Sequence, residues 1–155
     1  MRKTVGPASG NSGQAKGEKN AVLFTKDGKK LVQYPAGLKS DSFKVPDGVE
    51  TIGEGAFIGC STLTQISLPN GVKTIGDCAF LGCDNLALLD VPDGVETIGA
   101  YACYDCSSLK EISLPGSVQT IKFGAFTTFT TTNIRAPRGS FAEQYVGSRK
   151  NNMSN

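Results

Sequence analysis

Five cysteines in a chain of 155 residues are the first groups to weigh for chemistry. Cys78 with Cys83, and Cys103 with Cys106, are two thiol pairs at spacings close to those of a four-thiolate zinc site. Their register argues against it. Cys60, Cys83 and Cys106 recur at one constant interval, so they stack as a ladder and would have to leave a shared core to reach a metal. Cys103 takes the slot of Phe57, Phe80 and Phe126, and Cys78 the slot of Gly55, Tyr101 and Gly124. Disulfides between ladder neighbours meet a geometric obstacle. Parallel neighbours lie about 4.8 Å apart with side chains pointing the same way, whereas bridged Cβ atoms sit ~3.8 Å apart. Cys103–Cys106 as a redox motif lacks the βαβ surroundings of thioredoxin-like proteins. Free buried thiols and no bound metal are expected.

Calcium and catalysis fare no better. Asp47-Gly48 and Asp93-Gly94 stand a repeat or more apart in a row that reads Asp47, Asn70, Asp93, Gly116, with no second acidic row beside it. Turn chemistry explains them. The chain has no histidine, and no serine or cysteine sits in an activating frame, so no enzyme and no cofactor are expected.

The elements that carry these residues come from a repeat. Pro46, Pro69, Pro92 and Pro115 keep the same constant interval, as do Val49, Val72, Val95 and Val118, and Ile52, Ile75, Ile98 and Ile121. Ala56, Ala79, Ala102 and Ala125 keep the phase, with Leu63, Leu86 and Leu109. Ile66 and Leu68 alternate with Gln65 and Ser67, the period-two pattern of a strand with one buried face. Pro69 ends that ladder and Asn70-Gly71 turns the chain. Val72 and Ile75 run back along a second short strand, and Ala56-Phe57 make the compact return. One such unit cannot bury both its faces, so each leans on its neighbours. The expected fold is mainly β: a short right-handed solenoid of parallel strands, four repeats long and capped at both ends.

The caps differ. Val22-Leu23-Phe24 and Leu31-Val32-Gln33-Tyr34 flank Asp27-Gly28, a hairpin signal. Ser42–Val45 then reads as the first solenoid strand, with Phe43 in the Ile66 slot. After the fourth repeat Lys122 replaces a glycine, Phe129 a cysteine, and 127–132 breaks the spacing. A strand at Ile134 follows, and Ser140-x-x-Glu143 is a capping box that opens a short helix carrying Tyr145. The expected organisation is a disordered basic tail over 1–20 and a repeat domain over 21–146. That domain divides into a hairpin cap at 21–37, repeats at about 38–126 and a C-terminal cap at 127–146. A disordered tail over 147–155 follows. With both ends closed, the unit reads as a complete small fold. The stretch 1–20 lacks the apolar segment of a secretory signal, so the chain is expected either to stay inside the cell or to belong to something longer.

The net charge of +2 conceals an asymmetry. Residues 45–121 hold ten acids against two bases, while the basic excess sits at the two ends. An acidic body disfavours nucleic acid, and no apolar run is long enough to span a membrane. Glu50, Lys73, Glu96 and Gln119 alternate in sign along one row, which reads as support for the register.

The repeated I-G-x-x-A-F-x-G-C-x-x-L core over Val49–Leu68 and Val72–Val91 resembles the BspA-type (Treponema-type) leucine-rich repeat. Residues 22–37 are similar to the segment that often precedes such repeats, and 136–145 to the one that follows them. The resemblance implies a bacterial or protozoan surface protein that binds proteins, such as host matrix or cell-surface components. It brings no ligand or binding residues with it. The residues themselves point to the outward face of the strands. One file reads Ser42, Gln65, Leu88, Glu111, Asn133 and the next Lys44, Ser67, Asp90, Ser113, Arg135. These positions vary where the inward ones do not. A monomeric, non-enzymatic protein-binding or adhesion module is therefore expected, at the cell surface or secreted. The alternative is a structural spacer or small intracellular scaffold in the cytoplasm.

Overall fold

The computed structural model describes residues 2–5, 21–126 and 132–153. Within them the repeat of the sequence becomes a solenoid with two rows of parallel strands. The first row begins in the hairpin of β2 (Val22–Thr25) and β3 (Lys30–Gln33) and continues through β5 (Thr51–Ile52), β7 (Thr74–Ile75), β9 (Thr97–Ile98) and β11 (Thr120–Ile121). Antiparallel β3 thus doubles as the first rung, pairing Leu31 with Ile52, and the parallel register then runs Ile52, Ile75, Ile98, Ile121. The hairpin turn closes because Gly28 adopts φ 74° and Asp27 accepts bonds from the Thr25 hydroxyl and the Lys29 N–H.

The second row holds β4 (Ser42–Lys44), β6 (Gln65–Ser67), β8 (Leu88–Asp90), β10 (Glu111–Ser113) and β12 (Asn133–Arg135). Phe43 pairs with Ile66 as expected, and β12 regains the register after a slightly shorter coil by pairing Ile134 with Ile112. This row is cut, however. β4, β6 and β8 form one sheet and β10 with β12 another, with no ladder between β8 and β10. Thr64 and Thr132 donate their hydroxyls to carbonyls of the preceding coil. Lys110 occupies the same slot as Thr64 and turns its ammonium to Ser107 O in its own coil.

Between the rows lies one continuous core. Leu63, Leu86 and Leu109, the four return alanines, and Ile52, Ile75 and Ile98 are all buried. Tyr34, Phe57 and Phe80 stack with ring centroids 5.4 and 5.3 Å apart. Cys103 interrupts the column, which Phe126 resumes against Tyr145 at 6.2 Å. The return segments are themselves bonded coil to coil, from Phe57 N–H to Ala79 O (2.7 Å), Phe80 N–H to Ala102 O (2.8 Å) and Cys103 N–H to Ala125 O (2.7 Å). Stability therefore comes from contacts between coils, as in other repeat architectures.

Gly53, Gly76 and Gly99 sit where each coil crosses its predecessor. A Cβ at Gly76 or Gly99 would fall within 3 Å of the preceding backbone. Lys122 in the fourth coil lengthens the corresponding N–H···O bond from 2.8 to 3.0 Å, and Ile121 beside it is partly exposed. The Lys122 ammonium reaches Asp77, 3.4 Å away and two coils back.

The Ala100 N–H donated to Asp77 (2.9 Å), with Lys122 as a lesser cause, holds the Asp77 carboxyl below its ordinary value of 3.8. A carboxyl more acidic in the folded state stabilises fully above the unfolded pKa and loses that contribution as pH falls through the folded one. Melting of wild type and Asp77→Asn should accordingly differ at pH 6 and converge as pH falls well below the ordinary value of 3.8.

The C-terminal helix α1 spans Phe141–Met153. Ser140 Oγ accepts the Glu143 N–H at 3.1 Å, as a capping box requires, but the Glu143 carboxylate reaches back one residue further, to the Gly139 N–H at 2.6 Å. Ala142 is buried and Tyr145 packs against the core.

Two expectations about the tails need correction. Arg2–Val5, read as part of a disordered tail, form β1, which pairs antiparallel with β2 at the outer edge of the first row. The helix, expected to stop near 146, runs to Met153 because nothing after Gly147 breaks it. Residues 6–20 and the irregular stretch 127–131, including Phe129, lie outside the described residues.

Candidate protein-binding face

Each of the ten outward residues sits on a strand of the second row. Ser42, Gln65 and Leu88 are direct cross-strand partners, as are Lys44, Ser67 and Asp90. Glu111 faces Asn133 and Ser113 faces Arg135 on the separate β10–β12 pair. All are exposed except Ser67, which is half-buried, while Phe43, Ile66, Leu89, Ile112 and Ile134 between them point inward and are buried. The files are brought together in register, but as three rungs and two rather than five. Leu88 stands 45% exposed on the third rung. Arg135 and Glu111 form an ion pair at 3.2 Å on the outside of the last two.

Four of the five thiols occupy the interior, and Cys78 is half-buried. Cys83 Sγ donates to Phe57 O at 3.0 Å and Cys106 Sγ to Phe80 O at 3.1 Å, each carbonyl belonging to the preceding coil. Contact with the Cys60 thiol, then burial, pushes the Cys83 thiol far above its ordinary range. None of the five cysteines is bridged, and among the described residues no three His, Cys, Asp or Glu side chains are grouped so as to hold a metal. In the alternating row the ion pair that closes is Lys29–Glu50, at 3.3 Å, so the hairpin cap extends the alternation by one member.

Against this geometry, the BspA type leucine rich repeat region matches residues 36–146 in six copies. The chain belongs to the BspA-type leucine-rich repeat family. The matched span takes in β4 and β12 on either side of the four full repeats.

Solved structures agree with this assignment. A T. pallidum leucine-rich repeat protein shares 27% identity at a TM-score of 0.56, over 70% of this chain and 63% of that one. A leucine-rich repeat protein from Bacteroides ovatus shares 34% at 0.62, over 70% and 28%. A leucine-rich cell surface protein from Faecalibacterium prausnitzii shares 28% at 0.54, over 81% and 38%. This BspA-type chain thus spans less than two thirds of each of these three relatives. No curated protein matches it. Among the described residues no helix is long and apolar enough to cross a membrane.

One surface of the BspA-type coils went unread in the sequence. Tyr101 packs edge-on against Tyr104 and Phe123, at 5.6 and 5.8 Å, and Phe123 is 82% exposed. Tyr101 holds φ 55° in a slot that is glycine in two other coils, and its ring covers Gly124. The signal was present in the register, as a bulky residue in a variable slot, but the left-handed backbone that makes glycine the easy choice there is visible only in three dimensions.

Proposed function

We propose that the chain is a non-enzymatic protein-binding module of a bacterial surface protein and that the outward files of the second strand row form its contact face. The observation that carries this reading is the contrast across the strands. Inward positions repeat Ile and Leu, while outward ones run through Ser, Gln, Leu, Glu and Asn in one file and Lys, Ser, Asp, Ser and Arg in the other. A lattice of fixed spacing with varied chemistry suits recognition of another protein surface. Leu88, apolar and exposed among polar neighbours, supplies the apolar contact of this face. The F. prausnitzii relative, described as a cell surface protein, supports a surface location. Stable interfaces bury about 800 Å² per partner, so a partner would engage both the three-rung and the two-rung parts of the face.

The test is binding of the full chain to immobilised extracellular matrix proteins and to intact cells, at low and physiological salt. Saturable binding that Leu88→Asp weakens at least tenfold is expected. Absence of binding at low salt would leave the second reading, a spacer or intracellular scaffold, which the five unbridged thiols favour.

A further inference from the structure

The third coil carries two buried thiols within a single turn. In the first two coils the equivalent turns run Phe57–Cys60 and Phe80–Cys83, and each closes with the cysteine N–H donated to the phenylalanine carbonyl, at 3.1 and 3.2 Å. Their third residues, Gly59 and Gly82, have φ 68° and 74°, and Asp105 repeats this at φ 60°. The turn 103–106 thus has the same frame, with Cys103 as its first residue and Cys106 as its fourth. A β-turn holds those two Cα atoms within about 7 Å, and disulfides span Cα separations of roughly 4.4–6.8 Å. The first and fourth side chains of this turn both enter the core: Phe57 and Cys60 are fully buried, and Cys103 and Cys106 are each 4% exposed. Ladder neighbours are parallel and belong to separate coils, but these two thiols converge from one turn.

We propose that Cys103 and Cys106 are a reversible modification site, closing to a disulfide by exchange with a small-molecule disulfide. One thiolate attacks a sulfur of the small disulfide, forms a mixed disulfide and releases one thiolate leaving group. The second cysteine, deprotonated, attacks the protein-side sulfur and releases the other half. The two cysteines lose two protons and two electrons in all, and the small disulfide is reduced to two thiols. Cys106 gives up its bond to Phe80 O in the process. Contact with the Cys106 thiol, followed by burial, keeps the Cys103 thiol above its usual range, so closure is slow at neutral pH and faster as pH rises. Cys103 and Cys106 are each 4% exposed, so the exchange requires the turn to open locally; Cys103 N–H is bonded to Ala125 O and Gly82 N–H to Tyr104 O when it is closed.

The experiment incubates the folded full chain with oxidised glutathione at pH 8.5, quenches in acid, unfolds, alkylates with iodoacetamide and digests after aromatic residues. Cleavage after Tyr104 separates the two cysteines. A Cys103 peptide joined to a Cys106 peptide and parted by reductant is expected, with Cys60 and Cys83 alkylated. Alkyl groups or glutathione on both Cys103 and Cys106, or a bond from Cys106 to Cys83, would overturn the proposal. Cys103→Ala should lose the joined pair completely, and a protein disulfide at Cys106 in that variant would equally refute the turn geometry.

Discussion

Leu86→Ala should lower the free energy of unfolding by about 2–5 kcal/mol in urea titration. Leu86 is fully buried, and the slot it fills is taken by Leu63 and Leu109 in the adjoining coils, also buried. Truncation therefore opens a void facing two interfaces at once, and packed backbones bonded coil to coil leave little freedom to collapse into it. Ile75→Ala should behave similarly, since Ile75 pairs with Ile52 on one side and Ile98 on the other. Gln65→Ala, on the exposed side of β6, should stay within about 0.5 kcal/mol. If Gln65→Ala proved as damaging as Leu86→Ala, the inward and outward faces would have been exchanged.

The second large effect is expected at a glycine. Gly99→Ala would place a methyl 2.4 Å from the Asp77 nitrogen and 2.5 Å from the Gly76 carbonyl carbon. Both are backbone atoms and cannot swing aside as a side chain would. Overpacking of this kind costs about 1–3 kcal/mol, and a rigid backbone neighbour places Gly99→Ala at the upper end. Gly37→Ala is the control, because a Cβ there meets nothing within 4 Å. It should be neutral or slightly stabilising through the unfolded chain. Thermal melts of the two variants side by side would separate crowding from backbone entropy.

These predictions rest on a register that was legible before any coordinates. Spacing alone placed Phe43 opposite Ile66, put Cys103 beside Phe126, and stacked Cys60, Cys83 and Cys106 inward. Period and burial are the same signal in a solenoid, so a repeat reveals its core directly. Features that break the period were harder. Arg2–Val5 lie far from the repeats and gain their strand by pairing with β2, which no local pattern announces. Cys78, Tyr101 and Asp105 have left-handed φ that the neighbouring glycines hinted at without proving. Leu88 and Glu111 keep the repeat spacing although no ladder joins their strands, since spacing reports phase and not hydrogen bonds. The outward files were equally readable as positions, but position does not name a partner.

The cut between β8 and β10 gives the solenoid a mechanical asymmetry. On one side β3, β5, β7, β9 and β11 are bonded without a break, a spine that resists bending. On the other, three strands and two strands meet without a ladder, so fewer main-chain bonds oppose separation there, with Ser108 N–H to Asp84 O among those that remain. Leu88 stands on one lip of that seam and Glu111 on the other. Anything that grips both lips would act as a clasp, converting contact at the surface into stiffness along the whole coil.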